Sequence, residues 1–283
     1  MSSLSDIQRW GVQQLTHANI DSAALDARLL LQHVLGITRE EMLLNEPAIT
    51  DEQKARYEQL IVRRSNHEPV AKIIGKKPFW KYEFITTKDT LDPRPDSETL
   101  IEATLKHRPP ASSNITTILD LGTGTGCLLL SLLGEYDQAR GLGVDKSEEA
   151  LAVAQQNAEA LAMLERTQFH HGDWLQGLSG DYDIIITNPP YIPMGDKEHL
   201  ASDVVDYDPH LALFASNDGL AAYETILENV RTLLAKGGLL VVEAGAGQAE
   251  AVKRLGKRGD LHPVETVKDS GAIPRAVIFE SID

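Results

Sequence analysis

"TTILDLGTGTGCLLLSLL", Thr116 to Leu133, decides the fold. A β-branched and apolar run ends at Asp120, Gly122, Gly124 and Gly126 follow, and then comes an apolar helix. Strand, glycine turn and helix in that order begin a mostly parallel α/β sheet. Glycines permit the tight turn and let a ligand approach the backbone without meeting a β-carbon. The spacing is G-x-G-x-G, not the G-x-G-x-x-G of dinucleotide enzymes. Asp145 ends the next run, "ARGLGVD", about 20 residues on, where nucleotide-binding folds place an acid. A carboxylate there can accept hydrogen bonds from both ribose hydroxyls of a nucleoside. A glycine turn and a surface aspartate are the plainer reading of each feature alone. In strand–turn–helix–strand order they favour an adenosine-containing ligand.

Two more strands reach the same edge. "TQFHHGD" ends at Asp173, with Trp174 next. The acid could hold an adenine by its amino group and the indole could pack on the base, or the tryptophan could simply fill a loop. The fourth run, "YDIII", leads into "TNPPYIP", Thr187 to Pro193. Prolines at 189, 190 and 193 cannot continue a strand, because each lacks an amide hydrogen and fixes φ. Such a rigid turn displays the side-chain oxygen of Asn188 and the carbonyl of Pro189. Together they can fix an incoming planar NH2 group, while Tyr191 packs on its flat face. The crevice suits S-adenosylmethionine, its methyl group toward this loop.

The bounds agree. The chain has 283 residues, 42% hydrophobic, enough for one large domain or two modest ones. Cys127 is the only cysteine, so no internal disulfide forms and a reducing compartment is expected. It sits at a helix start but has no visible partner base, so it reads as a small core side chain. No long apolar run and no signal-peptide pattern are present, so a cytoplasmic protein with no membrane contact is expected. A net charge of −15 argues against gripping nucleic acid directly. The nine histidines lack metal spacing, and adjacent His170 and His171 point to opposite faces of a strand, so no metal is expected.

Upstream the texture is helical. Asp21 or Ser22 could cap "SAALDARLLLQHVLG", placing Leu25, Leu29 and Leu30 on one face and Gly36 near the end. "TREE" at Thr38 and "TDEQ" at Thr50 fit capping boxes. "GKKPFWKYEFITT" predicts a hairpin, in which Phe79 and Trp80 serve packing or substrate contact. "LDPRPDSETL" predicts a helix start with Asp96 as N-cap, and Arg94 either braces this loop or touches substrate.

"DLGTGTG", "GVD", "GDW" and "NPPYI", in that order, resemble the class I S-adenosylmethionine-dependent methyltransferases of planar nitrogen groups. "EPVAKIIGKKPFWKYEF", "LDPRPDSETLIE" and "DVVDYDPHLALFASNDGLAAYETIL" narrow the resemblance to the HemK/PrmC family, and it runs from about Leu25 onward. It implies an α/β fold: a seven-stranded, Rossmann-like class I methyltransferase sheet ending in an antiparallel pair, a small N-terminal all-α bundle and a connecting β-hairpin. The bounds expected are 1–70 for a helical substrate-recognition domain, 71–95 for hairpin and linker, and 96–283 for the methyltransferase domain. It further implies that a monomer methylates the glutamine of the Gly-Gly-Gln motif in class 1 peptide chain release factors. Gly122, Thr123, Gly124, Thr125, Gly126, Asp145, Trp174 and Asn188 would hold the cofactor, with Asp173 beside them. Asn188, Pro189, Pro190 and Tyr191 would hold the glutamine, with Asn188, Pro189 and Tyr191 acting in catalysis. The alternatives are a glutamine methyltransferase of a ribosomal protein and a DNA adenine amino methyltransferase. The latter would have to flip its base and hold a duplex. Three features depart from the family pattern: Asp92 in an apolar slot, Ser97 for threonine, and "VEAGAGQ" for a Glu-Ile-Gly stretch. They are expected to leave the reaction intact.

Overall fold

A computed structural model describes residues 3–45 and 48–281 and divides into two units, 1–76 with 201–207, and 77–200 with 208–283. The first unit is helical: α1 (Leu4–His17), α2 (Ala23–Leu35), α3 (Arg39–Asn45), α4 (Asp51–Ser65) and α5 (Val70–Ile74). Both predicted capping boxes form, Thr38 with Glu41 and Thr50 with Gln53, each satisfying otherwise orphaned N-terminal amides. The face expected of α2 needs correction. Its buried residues are Ala23, Asp26, Ala27, Leu30, Leu31 and Val34, whereas Leu25 is exposed and Leu29 half-buried. A 3.6-residue period through 23, 27, 30 and 34 excludes position 25. Ser22 occupies the N-cap position but makes no capping bond. Its hydroxyl donates to Asp26, which also accepts from Arg64 at 2.7 Å in a buried pair joining α2 to α4.

After α5 the chain enters the expected hairpin, β1 (Lys76–Phe79) and β2 (Tyr82–Ile85), all but Lys76 of which belongs to the second unit. Phe79 and Phe84 pack edge to face in the core, and the Trp80 indole donates to Glu135 at 2.6 Å, so both aromatics serve packing. Next come α6 (Glu98–His107), β3 (Thr117–Leu121), α7 (Cys127–Glu135), β4 (Arg140–Asp145), α8 (Glu148–Ala160), β5 (Thr167–His171) and β6 (Tyr182–Thr187). They are followed by α9 (Ala221–Leu227), β7 (Leu234–Glu243), α10 (Ala249–Arg258), β8 (Leu261–Lys268) and β9 (Pro274–Ser281). The predicted helix start at Asp96 is a 3-10 turn, Pro95–Ser97, and α6 begins at Glu98. Asp96 caps nothing there, and its carboxylate lies 3.4 Å from Arg275.

The seven strands lie in the order β8-β9-β7-β6-β3-β4-β5. Pairing is parallel from β7 to β5, while β9 runs antiparallel to both β7 and β8. Side chains alternate between two apolar layers. Ile118, Ile184, Ile186, Leu239, Val241 and Ile278 face the hairpin, α6 and α7. Leu119, Leu121, Ile185, Leu240, Val242 and Val277 face α9 and α10. This period of two buries both faces of the sheet, as a parallel α/β sheet requires. The strand order reverses between β3 and β6, a switch point whose outer crevice is the expected ligand site.

Asn157 of α8 ties the hairpin to this crevice. Its Oδ1 accepts from the Ile85 amide at 2.7 Å, and its Nδ2 donates to the carbonyls of Ile85 and Thr125 at 3.0 and 2.9 Å. Asn157→Ala strips all three partners from buried or half-buried backbone groups. It should lower stability by about 3 kcal/mol, read as a lower urea midpoint. An unchanged midpoint would show the tie to be dispensable.

Candidate active site

Carboxyl ends of β3, β4 and β6, with the loops after β2 and β5, enclose a cavity of about 880 Å³. Gly122, Thr123, Gly124, Thr125, Asp145, Asp173, Trp174, Asn188 and Pro190 line it. Three of the expected site residues do not. Gly126 sits with φ +79 where an added β-carbon would meet Leu130 and Ala154. Pro189 is buried, and Tyr191 packs half-buried against the α9–α10 layer.

Backbone bonds to β4 set the glycine loop. The amides of Gly122 and Thr123 both donate to the Val144 carbonyl, at 2.8 and 2.9 Å. Gly124 donates to Asp145 Oδ2 at 2.8 Å, and Ser147 to Oδ1 at 3.0 Å. Burial raises the Asp145 pKa, and these backbone donors oppose the shift. Gly122 has φ +74, and a β-carbon on it would lie 3.2 Å from the Trp174 ring. At Gly124, φ +55, an added β-carbon meets nothing within 4 Å, so the backbone there is open for a ligand to approach. Trp174 itself adopts φ +54, unusual for a bulky residue. Asp173 pairs with Lys146 at 2.8 Å.

The other end of the cavity belongs to Asn188. Its Nδ2 donates to Ser97 Oγ at 3.2 Å, and its Oδ1 has no hydrogen-bond partner among the described residues. Ser97 in turn donates to Glu243 Oε2 at 2.5 Å, and the Tyr191 hydroxyl lies 3.4 Å from Oε1. Gln248 Nε2 donates to the Tyr191 carbonyl at 3.0 Å and holds the proline turn from behind. Arg94 pairs with buried Asp208 at 2.6 Å, so it braces the loop over the site. Asp92, in its apolar slot, is buried and accepts from the Thr86 hydroxyl at 2.5 Å. Cys127 lines the cavity, and burial pushes its thiol up to about 12, which keeps it protonated and inert. No cluster of three or more His, Cys, Asp or Glu suited to a metal occurs among the described residues.

Sequence reasoning missed Ser97 and Glu243. They stand 146 positions apart and meet only in the fold. The available signal was an acid closing the apolar strand run "LLVVE", at the same sheet edge as Asp120 and Asp145.

A cavity at the switch point, an open glycine loop beside a strand-end acid, and a proline turn presenting an amide define a class I methyltransferase. Comparison with known proteins makes the class particular. Residues 6–75 match the PrmC N-terminal domain family and residues 88–207 the methyltransferase small domain family. A release factor glutamine methyltransferase of Rhodospirillum rubrum is 42% identical over 95% of this chain and 82% of its own. That of Caulobacter vibrioides is 39% identical over 98% and 96%. A solved methyltransferase from Pyrococcus furiosus shares the fold at TM-score 0.53 and 17% identity, over 80% of this chain and 98% of its own. The chain belongs to the release factor glutamine methyltransferase family.

Asp120, behind the glycine loop, is fully buried and accepts from the Thr123 hydroxyl at 2.7 Å. Burial pushes its pKa up to about 7. Since an unfolded aspartate titrates near 4, ionisation of Asp120 opposes folding as pH rises from about 4 to about 7. Asp120→Asn keeps an acceptor for Thr123 and removes that penalty. Its thermal midpoint should exceed wild type at pH 8, and the gain should vanish toward pH 4. A pH-independent difference would contradict this account.

Proposed function

We propose that the chain methylates the side-chain amide nitrogen of the glutamine in the Gly-Gly-Gln motif of class 1 peptide chain release factors, with S-adenosylmethionine as donor. The observation that carries this is Asn188, whose amide nitrogen is committed to Ser97 while its oxygen is left to accept. An acceptor held this way suits an NH2 group, and a glutamine amide presents one. The names of the relatives support the substrate.

The cavity's residues fit the cofactor: Asp145 for ribose hydroxyls, the open backbone of the glycine loop for close approach, and Trp174 with Asp173 for adenine. When bound, S-adenosylmethionine supplies a methyl group on a positively charged sulfur. Asn188 Oδ1, which is at the cavity, would then accept from the glutamine NH2; the second acceptor and the packing face assigned to the Pro189 carbonyl and Tyr191 would need the substrate to reach past the present lining. These bonds push electron density toward a nitrogen whose lone pair is otherwise delocalised, and the prolines keep the acceptors from moving. Surplus proton leaves after transfer, when the nitrogen is far more acidic, so no general base is required.

Asn188→Ala should fold and bind cofactor but lose about a hundredfold in single-turnover rate, or about 3 kcal/mol. Asp145→Ala should instead weaken cofactor binding by roughly 1.5–3 kcal/mol, read by calorimetry. Tyr191→Phe keeps the ring and loses only a long hydrogen bond, so it should retain most activity. Near wild-type transfer by Asn188→Ala, or a methyl group found by mass spectrometry anywhere but a glutamine side chain, would sink the reading.

One side chain cannot identify one protein among thousands, so a wider interface is needed. We assign it to residues 1–70 and the catalytic role to 96–283, joined by 71–95. Removing residues up to Asn66 should spare cofactor affinity and sharply lower kcat/KM on an intact release factor. Equal kcat/KM for the two forms would refute the assignment.

A further inference from the structure

An asparagine amide can turn either end toward a cavity, because its two ends are nearly equal in shape and opposite in hydrogen-bonding character. If Asn188 is to accept from a substrate, something must keep its oxygen outward. Ser97 and Glu243 do so through the direction of their hydrogen bonds. A hydroxyl has one proton. With that proton on the 2.5 Å bond to Glu243 Oε2, Ser97 presents only lone pairs to Asn188. The NH2 end of Asn188 meets those lone pairs at 3.2 Å. A flipped Asn188 would set its oxygen against the Ser97 oxygen with no proton between them, an unmade bond at a half-buried position.

We propose that Glu243, acting through Ser97, is a positioning residue that holds the Asn188 oxygen toward the cavity. The proposal rests on the reading of this cavity as an amide methyltransferase site. It gives the buried acid a task that the fold alone does not require.

Several groups face the Glu243 carboxyl and oppose one another. Ser97 and Asp96 face it from the turn before α6, Tyr191 from the turn after β6, and Arg275 from β9. Arg275 is shared, since Asp269 at 3.1 Å and Asp96 at 3.4 Å also hold it. Tyr223 of α9 donates to the Glu243 backbone carbonyl and not to its carboxylate. The Cys127 thiol, also close enough to feel this charge, stays neutral. Burial pushes Glu243 up to about 7, while Ser97, Arg275 and Tyr191 pull it back. Protonation would reverse the chain of bonds. The acid would donate to Ser97, and the Ser97 proton would turn toward Asn188 and match the flipped amide. Activity should therefore need the carboxylate.

The experiment uses the full chain in single-turnover transfer to a release factor, from pH 6 to 9, alongside NMR of protein labelled with 15N-asparagine. The Asn188 side-chain NH2 signals are assigned by their loss in Asn188→Ala. Wild type should slow as pH falls through about 7, and Glu243→Gln should lose that limb. Ser97→Ala should lower kcat about tenfold with cofactor affinity unchanged, and Ser97→Thr should restore it. The Asn188 signals should shift in Ser97→Ala but not in Ser97→Thr, and in wild type they should move as pH falls through about 7 but stay fixed in Glu243→Gln, whose amide oxygen still accepts from Ser97 at every pH. Should Ser97→Ala not fold, the other two variants still decide the matter. Asn188 signals in wild type that do not move with pH, or a pH limb in activity or signals that persists in Glu243→Gln, would overturn the proposal. A wild type that methylates no release factor would fail the glutamine reading alone, and the Asn188 signals would still judge the positioning.

Discussion

Parallel pairing of β3 with β6, in which Leu121 stands opposite Thr187, fixes everything at the site. The register carries outward on both sides. Val144 of β4 lies beside Leu121, and Val242 of β7 beside Thr187. One step further along each strand stand Asp145, Gly122, Asn188 and Glu243, a single row across the sheet edge. The groups proposed to face cofactor and substrate are thus placed by one hydrogen-bonded ladder. A slip of one residue in any of these strands would send its apolar side chains to the wrong layer, so the core that holds the sheet also holds the row.

Where the sequence was legible, a local backbone demand made it so. A glycine loop, a strand-end acid and a proline turn each state their geometry within a few residues. Alternating strand and helix patterns gave a mostly parallel sheet, while its seven strands and antiparallel end came from the family resemblance. Capping boxes at Thr38 and Thr50 were legible for the same reason, since both partners lie three residues apart. Leu25 misled because apolar identity was read without testing the full period of α2. Asp96 misled because a proline before it starts a 3-10 turn, and its carboxylate answers Arg275, 179 positions away.

The partners of Asn188 were beyond such reading. Ser97 looked like a minor change within a loop, and Glu243 like the end of a strand. Only the fold brings them together, because the turn before α6 crosses the sheet edge beside β7. Asp92 is similar. An acid in an apolar slot looks like a defect, yet the Thr86 hydroxyl supplies the donor that makes burial tolerable.

Two acids behind the cavity, Asp120 and Glu243, are both pushed up to about 7 by burial. Fold stability argues against them, since apolar groups of similar size would avoid the penalty. Each, however, accepts from a hydroxyl that lines the cavity, Thr123 and Ser97 respectively. A hydroxyl committed inward turns its lone pairs outward. On the proposed reading Glu243 sets hydrogen-bond direction beneath the amide turn, and Asp120 accepts from Thr123 in the same manner beneath the glycine loop. Directional polarity of this kind cannot come from apolar packing, and a site that must distinguish a donor from an acceptor on its ligand depends on it.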